Sequence, residues 1–147
     1  MCTPGGLPIT YALAHPKADE RDIARDLFDI DPDLMRARPG QILIADRGYA
    51  SAEFEAFLTE RGARLLRPTF KRERARAGTR VLKSVRQIIE SINDTLKGQL
   101  DLERHGGKTP GGVVARVLQR LLALTAAIWH NDHTGQPILR SLTAYDH

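Results

Sequence analysis

Apolar residues along the chain change spacing several times, and each change marks an element. Residues 7–13, Leu-Pro-Ile-Thr-Tyr-Ala-Leu, follow the pair Gly5-Gly6 and predict a turn and then a short strand. Residues 18–28 predict a helix whose early acids, Asp19, Glu20 and Asp22, suit the positive end of a helix dipole. Pro32 and Pro39 punctuate the loop after it. Residues 41–45, Gln-Ile-Leu-Ile-Ala, form a nearly continuous apolar run. Such a run predicts a strand covered on both faces, as in the middle of an α/β sheet.

Ser51 then caps a predicted helix that continues to Arg61, with Phe54, Phe57 and Leu58 at i, i+3, i+4 spacing. Gly62 ends it, and residues 63–66 return as another short strand. Strand, helix and strand with short links imply a parallel pair with a helical crossover. Residues 67–78 form a basic loop, and a long helix is predicted over residues 80–102. At 100° per residue, Arg86, Glu90, Asp94 and Lys97 fall within about 80° of arc. Val85, Ile88, Ile89, Ile92, Leu96 and Leu100 take the opposite side, so this helix is two-faced. After a loop at residues 104–107, Thr109 as N-cap and Pro110 as first residue open a last helix that reaches about Trp129. Its stripe of Val113, Val117, Leu121, Leu124 and Ile128 reads as core packing.

The 147 residues suffice for one ordinary domain, and 41% hydrophobic with 27% charged residues is globular rather than disordered composition. The formal charge of +4 says little until it is mapped. From Arg61 to Arg86 the bases are Arg61, Arg64, Arg67, Lys71, Arg72, Arg74, Arg76, Arg80, Lys83 and Arg86, against the single acid Glu73. Residues 17–33 reverse that balance, with Asp19, Glu20, Asp22, Asp26, Asp29, Asp31 and Asp33 against three bases. This segregation points to a polyanion as partner. The lone Cys2 makes no internal disulfide and no metal-binding pair. The first twenty residues, with three prolines, do not read as a signal peptide. No run approaches the ~20 uncharged apolar residues that span a bilayer. The expectation is a cytoplasmic protein with no membrane partner.

Two places carry candidate chemistry. Asp46 ends its strand, where side chains of an α/β sheet face a crevice, and Gly48 lets the chain turn after it. A carboxylate there suits a hard divalent cation, or else simply caps a tight turn. The second place is the stripe Arg86, Glu90, Lys97. It is either a metal-binding carboxylate flanked by phosphate-holding cations or a solvated face with ordinary i,i+4 pairs. His130 and His133 lack the further ligands that a zinc site needs, and His105 reads as a turn residue.

The run Ile44-Ala45-Asp46-Arg47-Gly48-Tyr49 resembles the second-aspartate strand of DDE transposases. Arg86, three residues, Glu90, six residues and Lys97 resemble the signature around the third acid in the insertion-sequence four group and its relatives. The resemblance extends through residues 2–8 and 103–110 and so covers nearly the whole chain. Lys83 stands where the full signature has a tyrosine. The family's first catalytic aspartate lies upstream of the segment that residues 2–13 resemble. Asp19 and Asp22, on a predicted surface helix, are poor substitutes.

The resemblance implies an α/β, truncated ribonuclease H-like fold: a mixed sheet with flanking helices and a long C-terminal helix. Residues 1–103 would be the partial catalytic core, with residues 104–147 a loop and helix packed on it. It implies DNA strand cleavage and transfer by a two-metal mechanism, with Mg²⁺ or Mn²⁺ held by Asp46 and Glu90. Arg47, Tyr49, Arg86 and Lys97 would hold DNA near the cut, and Lys71, Arg72, Arg74 and Arg76 would add sequence-independent phosphate contacts. The expected partners are transposon ends, target DNA, and, through an unpaired sheet edge, a second copy or a full-length relative. With one carboxylate missing, the expectation is a fragment inactive alone. The alternative is a non-catalytic DNA-binding or transposase-interacting module.

Overall fold

The computed structural model describes residues 1–74, 78, 80–137 and 142. The elements run α1 (Glu20–Ile30), α2 (Asp33–Arg36), β1 (Ile42–Ile44), α3 (Ala52–Glu60), β2 (Arg64–Leu66), α4 (Val81–Asp94) and α5 (Pro110–His133), with short 3₁₀ and π segments between them. This is an α/β architecture with a small sheet, flanking helices and a long C-terminal helix, and it fits a partial ribonuclease H-like fold. The chain divides into two compact units, Ala12–Val85 and the pair Met1–Tyr11 with Arg86–His147.

In the unit of residues 12–85, β1 and β2 pair in parallel with Leu43 opposite Leu65. The helix between them, α3, makes the crossover that parallel strands require. Ser51 caps α3 by accepting from the Phe54 N–H at 3.3 Å, and Phe54 and Leu58 on its inner face are fully buried. They pack with Ala24 and Phe28 of α1, Met35 of α2, and Ala63 and Leu65 of the second strand region. Helix α2, between two prolines, was not signalled by the apolar spacing. Pro32 can open its first turn because a missing N–H costs nothing there.

The strand expected in the middle of the sheet is instead one of only two strands among the described residues. Its inner residues Leu43 and Ala45 meet the helical core, whereas Ile42 stays 51% exposed. Ile44 on the same side as Ile42 is half-buried, so cover on that side of β1 is incomplete.

In the other unit, Ile92, Leu96, Leu124 and Ile128 form the core, with Cys2, Leu7, Ile88, Leu100, Leu102 and Leu121 packed around it. Val117 is buried too, so the expected stripe of α5 is its packing face. The opposite face is apolar but exposed, through Val114, Leu118, Leu122 and Trp129. By length and composition α5 is apolar enough to cross a membrane, a property it shares with core helices of water-soluble domains. It runs a turn beyond Trp129, whose indole stacks on His133 at 5.1 Å.

Two expectations are corrected by local physics. Residues 7–13 form no strand, only an isolated antiparallel bridge between Cys2 and Pro8, since Pro8 has no N–H to donate to a ladder. The long helix does not continue as α to residue 102. It widens into a π segment at Thr95–Gln99, closed by Leu100 N–H to Thr95 O at 2.9 Å. Asp101, with φ of 48°, then ends the helical path.

The loop before α5 depends on a missing side chain. A Cβ on Gly107 would lie 2.7 Å from the backbone nitrogen of Val113. Only glycine allows the loop to lie against the first turn of α5, which Thr109 caps through Gly112 N–H at 3.1 Å. His105 is a turn residue, its Nδ1 accepting from Gly107 N–H at 3.0 Å.

Candidate functional site

Asp46 lies two residues past the end of β1, after Ala45 has extended the ladder with one bond to Leu66 O. Its backbone is extended and its carboxylate turns back to cap the 3₁₀ turn Arg47–Tyr49, accepting from Gly48 N–H at 2.7 Å. The residue is exposed. A Cβ at Gly48 would stand 3.0 Å from Asp46 Oδ1, so a larger residue there would push the carboxylate back by a few tenths of an ångström. The same Cβ would be 3.6 Å from Oε2 of Glu20, so the first residue of α1 brings a second carboxylate to this turn.

Tyr49 follows, half-buried and tilted against Phe54 with ring centroids 5.7 Å apart. Burial raises its phenol pKa first, and the charges of Glu20, Asp46 and Asp19 raise it further. Acidic side chains therefore surround the strand end. Asp19 itself is engaged as the N-cap of α1, accepting from Arg21 N–H at 2.8 Å and pairing with the Arg21 guanidinium. That hydrogen bonding holds its carboxyl well below the usual carboxylate range. The position of Glu20 beside Asp46 was not foreseen, and nothing in the spacing of the sequence signals it.

Glu90 is exposed on α4 and accepts from Arg86 Nε at 2.8 Å, one helical turn away. Lys97 does not complete the stripe as an α-helix would have it. It sits in the π segment and pairs with Glu103 at 2.9 Å. The hydrogen bond between them raises the lysine pKa and lowers that of the glutamate. Asp46 belongs to one compact unit and Glu90 to the other.

The basic stretch separates into two kinds of residue. Arg61 is taken up by Asp29 at 2.8 Å and by the Phe57 ring, 3.7 Å from its guanidinium carbon. Arg67 is buried and paired with Glu55 and Glu73. Lys71, Arg72, Arg74, Arg80, Lys83 and Arg86 are exposed, as is Arg47 beside Asp46. Arg76 lies outside the described residues. Among the described residues no group of three or more His, Cys, Asp or Glu is placed to hold a metal ion.

Exposed acids thus stand at a strand end and on a helix, with exposed bases between them in the sequence. A family model for the transposase DDE domain matches residues 1–126, and the chain belongs to that family. The matched range includes both Asp46 and Glu90. No curated protein and no solved structure matches the chain.

Proposed function

We propose that this chain is a portion of a DNA transposase catalytic core, of the insertion-sequence four group, that supplies two of three catalytic carboxylates, Asp46 and Glu90. The observation that carries this reading is the family match across both residues. Residues 1–103 would provide the chemistry and residues 104–147 the supporting loop and helix. Carboxylate oxygens are the right donors for Mg²⁺ or Mn²⁺. A pair of such cations would assist attack on a phosphodiester and departure of the leaving oxygen. In this reading Arg86 and Glu90 form a cation–carboxylate pair in which the guanidinium meets a phosphate when the acid is committed to metal. Arg47, Tyr49 and Lys97 hold DNA near the cut, and Lys71, Arg72, Arg74 and Arg76 add phosphate contacts.

The partners are then transposon ends and target DNA, and the place of action is the cytoplasm, at the nucleoid. With two carboxylates the chain alone is inactive; it associates with a second copy or pairs with a full-length transposase, of which only the latter would contribute the third. Incubating it with Mg²⁺ and terminal-repeat DNA tests this. No strand cleavage is expected, and cleavage that Glu90→Ala abolishes would overturn the claim of inactivity. Divalent-cation binding lost on Asp46→Asn supports the catalytic reading.

A second reading is a non-catalytic DNA-binding or transposase-interacting module. It is favoured by the local engagement of both carboxylates, Asp46 as a cap and Glu90 in an ion pair. Salt-sensitive DNA binding indifferent to divalent cations and to Asp46→Asn would select it.

A further inference from the structure

We infer that Arg67 and Glu73 are positioning residues, which hold Lys71 and Arg72 at the tip of a fixed turn as a paired contact for the phosphodiester backbone of DNA. The inference rests on the DNA reading above.

Arg67 follows β2 directly and is only 6% exposed, so it cannot itself reach a phosphate. Its guanidinium grips both oxygens of Glu73, Nη1 to Oε2 at 2.8 Å and Nη2 to Oε1 at 3.1 Å. Glu55 of α3 stands 3.4 Å from the same guanidinium. Nη1 also donates to Pro68 O at 3.2 Å, and the Phe70 ring lies 5.2 Å away.

The grip on Glu73 closes a turn. Glu73 N–H donates to Phe70 O at 3.0 Å, and Phe70 N–H donates back to Glu73 Oε2 at 3.1 Å. Phe70 and Glu73 are thus bonded to each other in both directions. Lys71 and Arg72 are the two corner residues between them, both exposed. The one acid in the basic stretch is therefore the fastener of the loop that displays its cations.

Stability does not explain this arrangement well. The Arg67 Nε is buried without a hydrogen-bond partner. A buried arginine between carboxylates recovers its desolvation cost only in part, and apolar side chains of similar volume commonly serve as well. What the ionic clamp provides is a fixed direction for the loop. Two adjacent cations ordered before binding lose less freedom when a phosphate strand arrives.

Electrostatics makes the test decisive, because the two interpretations of Glu73 predict opposite signs. If Glu73 were only an acid among bases, removing it would strengthen DNA binding by relieving repulsion. If it positions the loop, Glu73→Ala weakens binding although the protein becomes more positive. The measurement uses the full chain and a short duplex of arbitrary sequence, titrated across a salt series. Lys71→Ala with Arg72→Ala is expected to lower the slope of log K on log salt by about 1.8, that is, about 0.9 for each lost phosphate contact. Glu73→Ala is expected to weaken binding several-fold, and Arg67→Lys, which keeps charge but loses the bidentate fork, to act in the same direction. Stronger or unchanged binding in both variants overturns the inference.

Trypsin gives a DNA-independent readout, since it cuts after Lys71 and Arg72 only when the turn opens. Glu73→Ala and Arg67→Lys should speed cleavage there, with the far-ultraviolet circular dichroism of Arg67→Lys unchanged. Cleavage as fast in the unaltered chain as in both variants would overturn the clamp. Protected cleavage together with no effect of the Lys71 and Arg72 changes on DNA binding would instead remove the DNA reading at this loop.

Discussion

Asp46 and Gly48 are joined by a hydrogen bond of 2.7 Å that folds the carboxylate back over the turn it begins. One side chain therefore serves two roles, local cap and candidate metal ligand, and they separate by substitution. Asp46→Asn keeps an oxygen to accept from the glycine N–H but removes the charge. Asp46→Ala removes both. Urea denaturation should place the alanine variant about 1 kcal/mol below the asparagine variant, the usual worth of a capping side chain. Divalent-cation binding, followed by Mn²⁺ relaxation, should be lost in both.

The Arg86–Glu90 pair is exposed and one turn apart, so it should matter little for stability. A double-mutant cycle with alanine at both positions is expected to give a coupling of about 0.3–0.5 kcal/mol. A value well above this range would show the pair to be part of a larger structural network.

Gly107 should tolerate nothing larger than hydrogen. Its Cβ position overlaps the backbone at Gly112 and Val113, where no flexible side chain can yield. Gly107→Ala is expected to lower stability by about 1–3 kcal/mol, read from the midpoint of chemical denaturation. Gly111→Ala, in open space in the same helix turn, should not.

The Lys97–Glu103 pair sets a pH dependence with a definite sign. Hydrogen bonding to Lys97 lowers the Glu103 pKa from 4.5. The stabilisation it brings is present above pH 4.5 and fades as pH falls through the lowered folded value. Carbon-detected nuclear magnetic resonance titration should find Glu103 titrating below 4.5, and Lys97→Ala should return it toward that value.

Much of the fold was legible because its signals were local. Ser51 and Thr109 are side-chain caps where their chemistry says they should be, Asp19 caps α1 instead of lying in its first turn, and Phe54, Leu58, Leu124 and Ile128 are buried as their spacing required. Errors arose where a pattern could not report its surroundings. The run at residues 41–45 shows that the strand is apolar on both sides, but not that one side is left open at Ile42. The basic stretch shows charge but not direction, so Arg67 and Lys71 read alike although one is buried and the other exposed. The acids of the candidate site were found from motif position. Glu20 beside Asp46 was missed because that approach depends on how α1 packs, which no spacing within the helix encodes.

The π segment at Thr95–Gln99 amounts to one surplus residue wound into a helix. A spacing of seven from Glu90 to Lys97, which would bring an ideal α-helix almost back to the same meridian, here ends out of phase with it. Deleting one residue within Thr95–Gln99 would remove the surplus and leave the turns on either side of it in phase with each other. A one-residue deletion at this turn should therefore be tolerated better than one within Val81–Asp94, where it would rotate every later residue of the helix by about 100°.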